Sequence, residues 1–144
     1  MRRMHRVYVA GAISGPTILQ GLHNIGRGIR RANMLLRAGF APFCPHLDYH
    51  WAFEGDVSVE QMYASSLAWL ESAEALFVIE EGAMDSRGVK AEIERAQDIG
   101  IPVFWKLEDL QAWAALHPVR EVECASADDA AWDGEAQVIG AGVE

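Results

Sequence analysis

Four short apolar, β-rich runs alternate with four stretches of helical periodicity, and that alternation constrains this chain more than any other feature. The runs are residues 7–10, 40–44, 75–79 and 101–105. The first ends in Gly11 and Ser14-Gly15-Pro16, as a buried strand entering a loop should. The third, Ala75-Leu-Phe-Val-Ile79, is continuously apolar and is expected at the centre of a sheet. The fourth carries Pro102 near its start, where a missing N–H is tolerated.

Between the runs, Ile25, Ile29, Ala32, Leu35 and Leu36 recur at helical spacing within residues 18–38, and Gly39 supplies the stop. Residues 59–73 read as a second helix with Ser58 as N-cap and Gln61 three positions on. A third begins at Asp85-Ser86 and closes at Gly100, and residues 107–116 form a fourth. Strand and helix alternating four times imply parallel strands joined by right-handed crossovers. The expected fold is α/β, a doubly wound, mostly parallel sheet of four or five strands with helices on both faces, Rossmann-like or flavodoxin-like.

A chain of 144 residues holds one such core, and a second folding unit would leave neither half enough buried surface. The domain is expected over residues 1–118. Residues 119–144 lose periodicity and are rich in Asp, Glu, Ala and Gly, the composition of an acidic, poorly ordered tail. A formal charge of −9 argues against binding a nucleic-acid polymer. Cys44 and Cys124 are far apart and outside any CxxC pair, so a reducing compartment fits best. The apolar run at residues 7–10 is too short for a signal-peptide core or a membrane span, and the expected location is the cytoplasm.

In an open parallel sheet the ligand crevice lies beyond the carboxyl ends of the strands, which directs attention to residues 11–16, 45–55 and 80–88. Gly11, Gly15 and Gly88 allow close backbone approach, and Ser14 and Ser86 bring hydroxyls to helix starts. Ordinary βα turns use the same residues for steric reasons. Glu92 is more pointed, because it lies at the edge of the third helix's apolar stripe, where a carboxylate is costly unless used or paired. Complementing a helix N-terminus or pairing with an Arg is the alternative role. His46, Asp48 and His50 alternate after Pro45, but no further ligand stands at metal spacing, so they read as a polar loop without metal. Tyr49 and Trp51 in that loop are positioned to cover a ligand, while Trp69, Trp105 and Trp113 read as core or rim packing.

Three segments together resemble a known family. Tyr8-Val-Ala-Gly11-Ala-Ile-Ser-Gly15, Leu67-Ala-Trp-Leu70-Glu-Ser-Ala-Glu-Ala-Leu76, and Ser86-Arg-Gly88-Val-Lys-Ala-Glu92 followed by Gly100-Ile-Pro-Val103 are similar to the nucleoside 2-deoxyribosyltransferase-like proteins. That group includes the deoxynucleoside 5′-monophosphate N-glycosidases and short phage or bacterial members of unassigned role. The resemblance implies that Glu92 is the nucleophile towards the anomeric carbon, that Tyr8 orients it, and that Gly11, Ser14, Gly15, His46, Asp48, Ser86 and Gly88 line a substrate pocket. It implies a transferase or hydrolase of nucleotide metabolism, acting on a (deoxy)nucleoside or its 5′-monophosphate without a cofactor, and a homodimer or higher homo-oligomer. Two positions depart from the family pattern. Ser66 stands where an Asp serves proton transfer or sugar contact, and Ala12 and Ser14 stand where monophosphate-specific members carry Ser and Arg. The first departure supports an alternative, a non-catalytic nucleotide-binding or sensing module. The second favours an unphosphorylated nucleoside, and Asp48 of the second loop is a candidate substitute for the acid missing at Ser66. A phosphoribohydrolase of the lysine-decarboxylase-like type is set aside, because its Pro-Gly-Gly-x-Gly-Thr-x-x-Glu run is absent.

Overall fold

A computed structural model describes residues 3–119, so the expected acidic tail falls, except for Val119, outside the described residues. Within them the chain runs β1 (Arg6–Ala10), α1 (Ile18–Arg37), β2 (Ala41–Phe43), a 3-10 helix (Pro45–Phe53), α2 (Val59–Glu71), β3 (Ala75–Val78), a short 3-10 turn (Ala83–Asp85), α3 (Arg87–Asp98), β4 (Val103–Phe104) and α4 (Leu107–Leu116). The four strands form one parallel sheet in the order β2-β1-β3-β4. This is the doubly wound α/β architecture expected from the alternation.

The side chains of β1 and β3 divide between two cores because successive residues of a strand point to opposite faces. Val7, Val9, Phe77 and Ile79 join Leu35 of α1 and Leu110 of α4 on one side. Tyr8, Ala10, Leu76 and Val78 join Leu70 of α2 and Val89 and Ala96 of α3 on the other. Both central strands are sealed, which is why their sequences are continuously apolar rather than alternating. The helix boundaries follow local chemistry. Ser58 and Gln61 form a reciprocal capping box at α2, and Ser86 accepts from Val89 N at 3.3 Å at α3. Gly39 and Gly100 take left-handed conformations (φ 91° and 77°) just beyond α1 and α3.

Two local expectations are corrected. The inward row of α1 is Asn24, Gly28 and Leu35, whereas Ile29 and Leu36 are 41 % and 54 % exposed. The helix is rotated so that its glycine faces the 3-10 helix: of the expected stripe, Leu35 and Ala32 reach the core and Ile29 and Leu36 do not. The segment after β2, expected as a long loop, is a nine-residue 3-10 helix with Pro45 at its start. Pro fits there because the first N–H groups of a helix have no internal partner.

Candidate active site

The connection from β1 to β2 winds one way and the return from β2 to β3 winds the other, so the loops beyond these two central strands diverge and leave a crevice. A cleft of about 450 Å³ occupies that place. Gly11 and Ser14 after β1 border it on one side, the 3-10 helix forms a second wall, and α2 with the start of α3 forms the third. The first loop is anchored by Asn24, whose buried amide donates to the Ser14 carbonyl at 3.0 Å and accepts from Gln20 at 3.1 Å.

At the base of the cleft, the Tyr8 hydroxyl donates to Glu92 Oε1 at 2.6 Å. Tyr8 is fully buried on β1, and Glu92 reaches it from the second turn of α3. Desolvation pushes the Glu92 carboxyl up to about 7, against the opposing effect of the Tyr8 hydrogen bond, which favours the carboxylate. Burial, followed by the nearby Glu92 charge, drives the Tyr8 phenol far above its ordinary value, so it stays a donor. The Ser66 hydroxyl on α2 also interacts with Tyr8, which couples three elements at one point. Near neutral pH, Glu92 can therefore exist as an aimed, poorly solvated carboxylate facing the cleft.

The 3-10 helix brings side chains to the cleft by its period. Three residues per turn align positions i, i+3 and i+6, and Pro45, Asp48 and Trp51 are the residues of this segment that line the cleft. Desolvation raises the Asp48 carboxyl above its ordinary value, with the Trp51 indole N–H opposing as a hydrogen-bond donor. His46 lies on a different row and is fully buried. A Cβ placed on Gly28 of α1 would fall 2.1 Å from His46 Cγ, and one on Gly11 would fall 3.0 Å from its Nε2, so the ring fills a slot that two glycines leave open. Burial lowers the His46 pKa to about 4 and raises that of the Cys44 thiol, whose Sγ lies 3.8 Å from Nδ1. This is a neutral packing pair rather than an activated thiolate.

Residues 5–106 match the protein family described as a domain of unknown function, DUF7768. The match covers most of the chain and every residue of the cleft. This protein belongs to the DUF7768 family. No curated protein matches it. Within the DUF7768 domain, Tyr8 and Glu92 are brought together, and Gly11, Ser14, Asp48, Ser66, Ser86 and Gly88 surround the same cleft. Two expected substrate contacts are not there. His46 packs behind the cleft, between α1 and Gly11, and Gly15 lies exposed against Gln20 on the outer side of the first loop. The trio His46, Asp48 and His50 is dispersed by the 3-10 period, which sends residues two apart to different rows. Among the described residues, no group of three or more His, Cys, Asp or Glu could hold a metal ion.

Several cleft residues of the DUF7768 domain escaped sequence reasoning. Tyr63, Gln61 and Met62 of α2 reach the cleft, and the Tyr63 ring lies against Gly88, where an added Cβ would come within 3.1 Å of its Cε1. Their signal was a helix whose aromatic and amide residues sit off the core stripe. Asn24, one turn before Gly28 on the inward row, carried no signal in the sequence. A smaller hollow of about 300 Å³ lies beside the ends of β3 and β4, where Arg31 is paired with Glu81 at 3.4 Å. Among the described residues, no helix is long and apolar enough to cross a membrane.

Proposed function

We propose that this DUF7768 protein cleaves or exchanges the N-glycosidic bond of a nucleoside, with Glu92 as the nucleophile. The observation that carries the reading is the 2.6 Å hydrogen bond from the buried Tyr8 hydroxyl to Glu92 at the base of the cleft. Attack by the Glu92 carboxylate on the anomeric carbon forms a glycosyl ester and expels the base. Water or a second base then attacks the ester and returns the original configuration. Tyr8 holds one carboxylate oxygen, leaving the other to react.

The remainder of the cleft supports a neutral ligand with a flat aromatic part. Trp51, Tyr63 and Met62 offer apolar and aromatic surface, whereas no Lys or Arg is among the described residues that line the cleft. Two carboxylates and no cation favour an unphosphorylated nucleoside over its 5′-monophosphate. A second reading, a nucleoside-binding module without turnover, draws on α2, which presents Gln61, Met62, Ser65 and Ser66 to the cleft but no carboxylate.

The test is chromatographic measurement of free base released from ribo- and deoxyribonucleosides and their monophosphates, with and without an acceptor base. Release from a nucleoside is expected, falling by at least about a thousandfold in Glu92→Ala and Glu92→Gln. Binding of a nucleoside without release of its base would replace the catalytic reading with the binding module.

A further inference from the structure

Expulsion of a nucleobase as an anion is slow, so a Glu92 nucleophile needs a proton donor on the other side of the scissile bond. Ser66, the polar side chain that α2 sets beside Tyr8, is a poor acid, because an aliphatic hydroxyl has no proton to give near neutral pH. The 3-10 helix supplies a different group. Its three-residue period aligns Pro45, Asp48 and Trp51 on the row that faces the cleft, so the carboxyl at the middle of that row is flanked by an indole ring one turn on. Asp48 is half-buried and lines the cleft together with Trp51. Asp48 and Glu92 thus share one cleft while standing on separate elements, the 3-10 helix and α3.

We propose that Asp48 is the proton donor to the departing base, standing beside Trp51 on the cleft-facing row of the 3-10 helix, in the cleft it shares with the Glu92 nucleophile. The assignment rests on the proposed glycosidic reading of this cleft. In the first step a Glu92 carboxylate oxygen bonds to the anomeric carbon, the electron pair of the C–N bond passes to the base, and a ring nitrogen of the base takes the Asp48 proton. The base leaves neutral and Asp48 becomes a carboxylate. In the second step Asp48 removes a proton from water as its oxygen attacks the anomeric carbon, and the ester bond breaks to restore the Glu92 carboxylate. The sum is nucleoside and water giving sugar and free base. Trp51 acts at both stages: its N–H orients the carboxyl, and its ring covers the base that receives the proton.

The test separates proton donation from folding and from nucleophilic attack. Asp48→Asn is compared with the parent chain on a nucleoside and on the p-nitrophenyl glycoside of the same sugar, whose phenolate leaves without protonation. The expected result, read in a single turnover so that only the first step counts, is a loss of about a hundredfold or more in base release from the nucleoside, with a loss of no more than a few-fold in the nitrophenolate burst. Retained p-nitrophenyl release also shows that the variant is folded. Equal losses on both substrates, or no loss on either, would overturn the assignment while leaving a Glu92-dependent glycosidase intact. If the parent chain releases neither base nor nitrophenol, the glycosidic reading and the donor assignment fall together.

Discussion

Glu92 carries a cost that the fold accepts. Its carboxyl ionises near 7 in the folded protein against 4.5 for an ordinary glutamate, so between those values the folded state binds more protons than the unfolded one. Stability attributable to this residue is therefore highest below about 4.5, declines as pH rises, and is fully lost above about 7. Glu92→Gln keeps an acceptor for Tyr8 without the charge. It is expected to exceed the parent chain in stability at pH 8 by on the order of 1–3 kcal/mol, with the gain gone by pH 4.5. Urea unfolding of both chains across that range checks it, and a gain that does not change with pH would mean that folding leaves the Glu92 carboxyl at its unfolded pKa. A gain in stability on replacing Glu92 would fit a group kept for function rather than one that complements a helix terminus.

The elements differ in how openly the sequence announces them. The capping box at Ser58, the stop at Gly39 and the unbroken apolar run of β3 are local signals, and the structure has helix and strand boundaries beside each. The inward row of α1 was not legible, because Asn24 and Gly28 carry no hydrophobic signal although both are buried. The reason for Asn24 lies in the first loop, whose Ser14 carbonyl it holds, and the reason for Gly28 in the 3-10 helix that delivers His46. That helix was itself hidden, since a three-residue period in Pro45, Asp48 and Trp51 does not announce itself in a short polar and aromatic segment. Glu92 could be picked out because it lies at the edge of an apolar stripe, whereas its pairing with Tyr8 came from the family resemblance and from no local signal. Gly28→Ala tests the seam. With His46 Cγ only 2.1 Å from the new Cβ, it should destabilise the protein by about 1–3 kcal/mol. Combining it with His46→Ala should cost less than the sum of the two single changes, a coupling that denaturant unfolding of all four chains would reveal. Strict additivity would mean that the helix shifts rather than clashes.

At the scale of the molecule, the family match stops at residue 106, but the core does not. Leu110 of α4 is fully buried against the face made by Val7, Val9 and Phe77, and Trp113 packs on Phe104 and His5 at centroid distances of 5.7 and 5.0 Å. Without α4, part of the face that it and α1 cover together would meet water. Leu110→Ala is therefore expected to cost about 2–5 kcal/mol in thermal or denaturant unfolding, a penalty typical of a fully buried leucine even though the residue lies past the family boundary. A near-neutral result would show that α4 is dispensable to the core. The Tyr8–Glu92 contact has a further bearing on how the protein comes into being. Its partners stand 84 residues apart, and every strand pairing in the sheet is likewise non-local. Such topologies pay loop-closure entropy before their contacts reward it, and so they fold slowly. A chain emerging from the ribosome holds Tyr8 long before Glu92 is made. The contact between Tyr8 and Glu92 can consequently form only once synthesis has passed α3 and the sheet has closed, so its formation would time the completion of the fold.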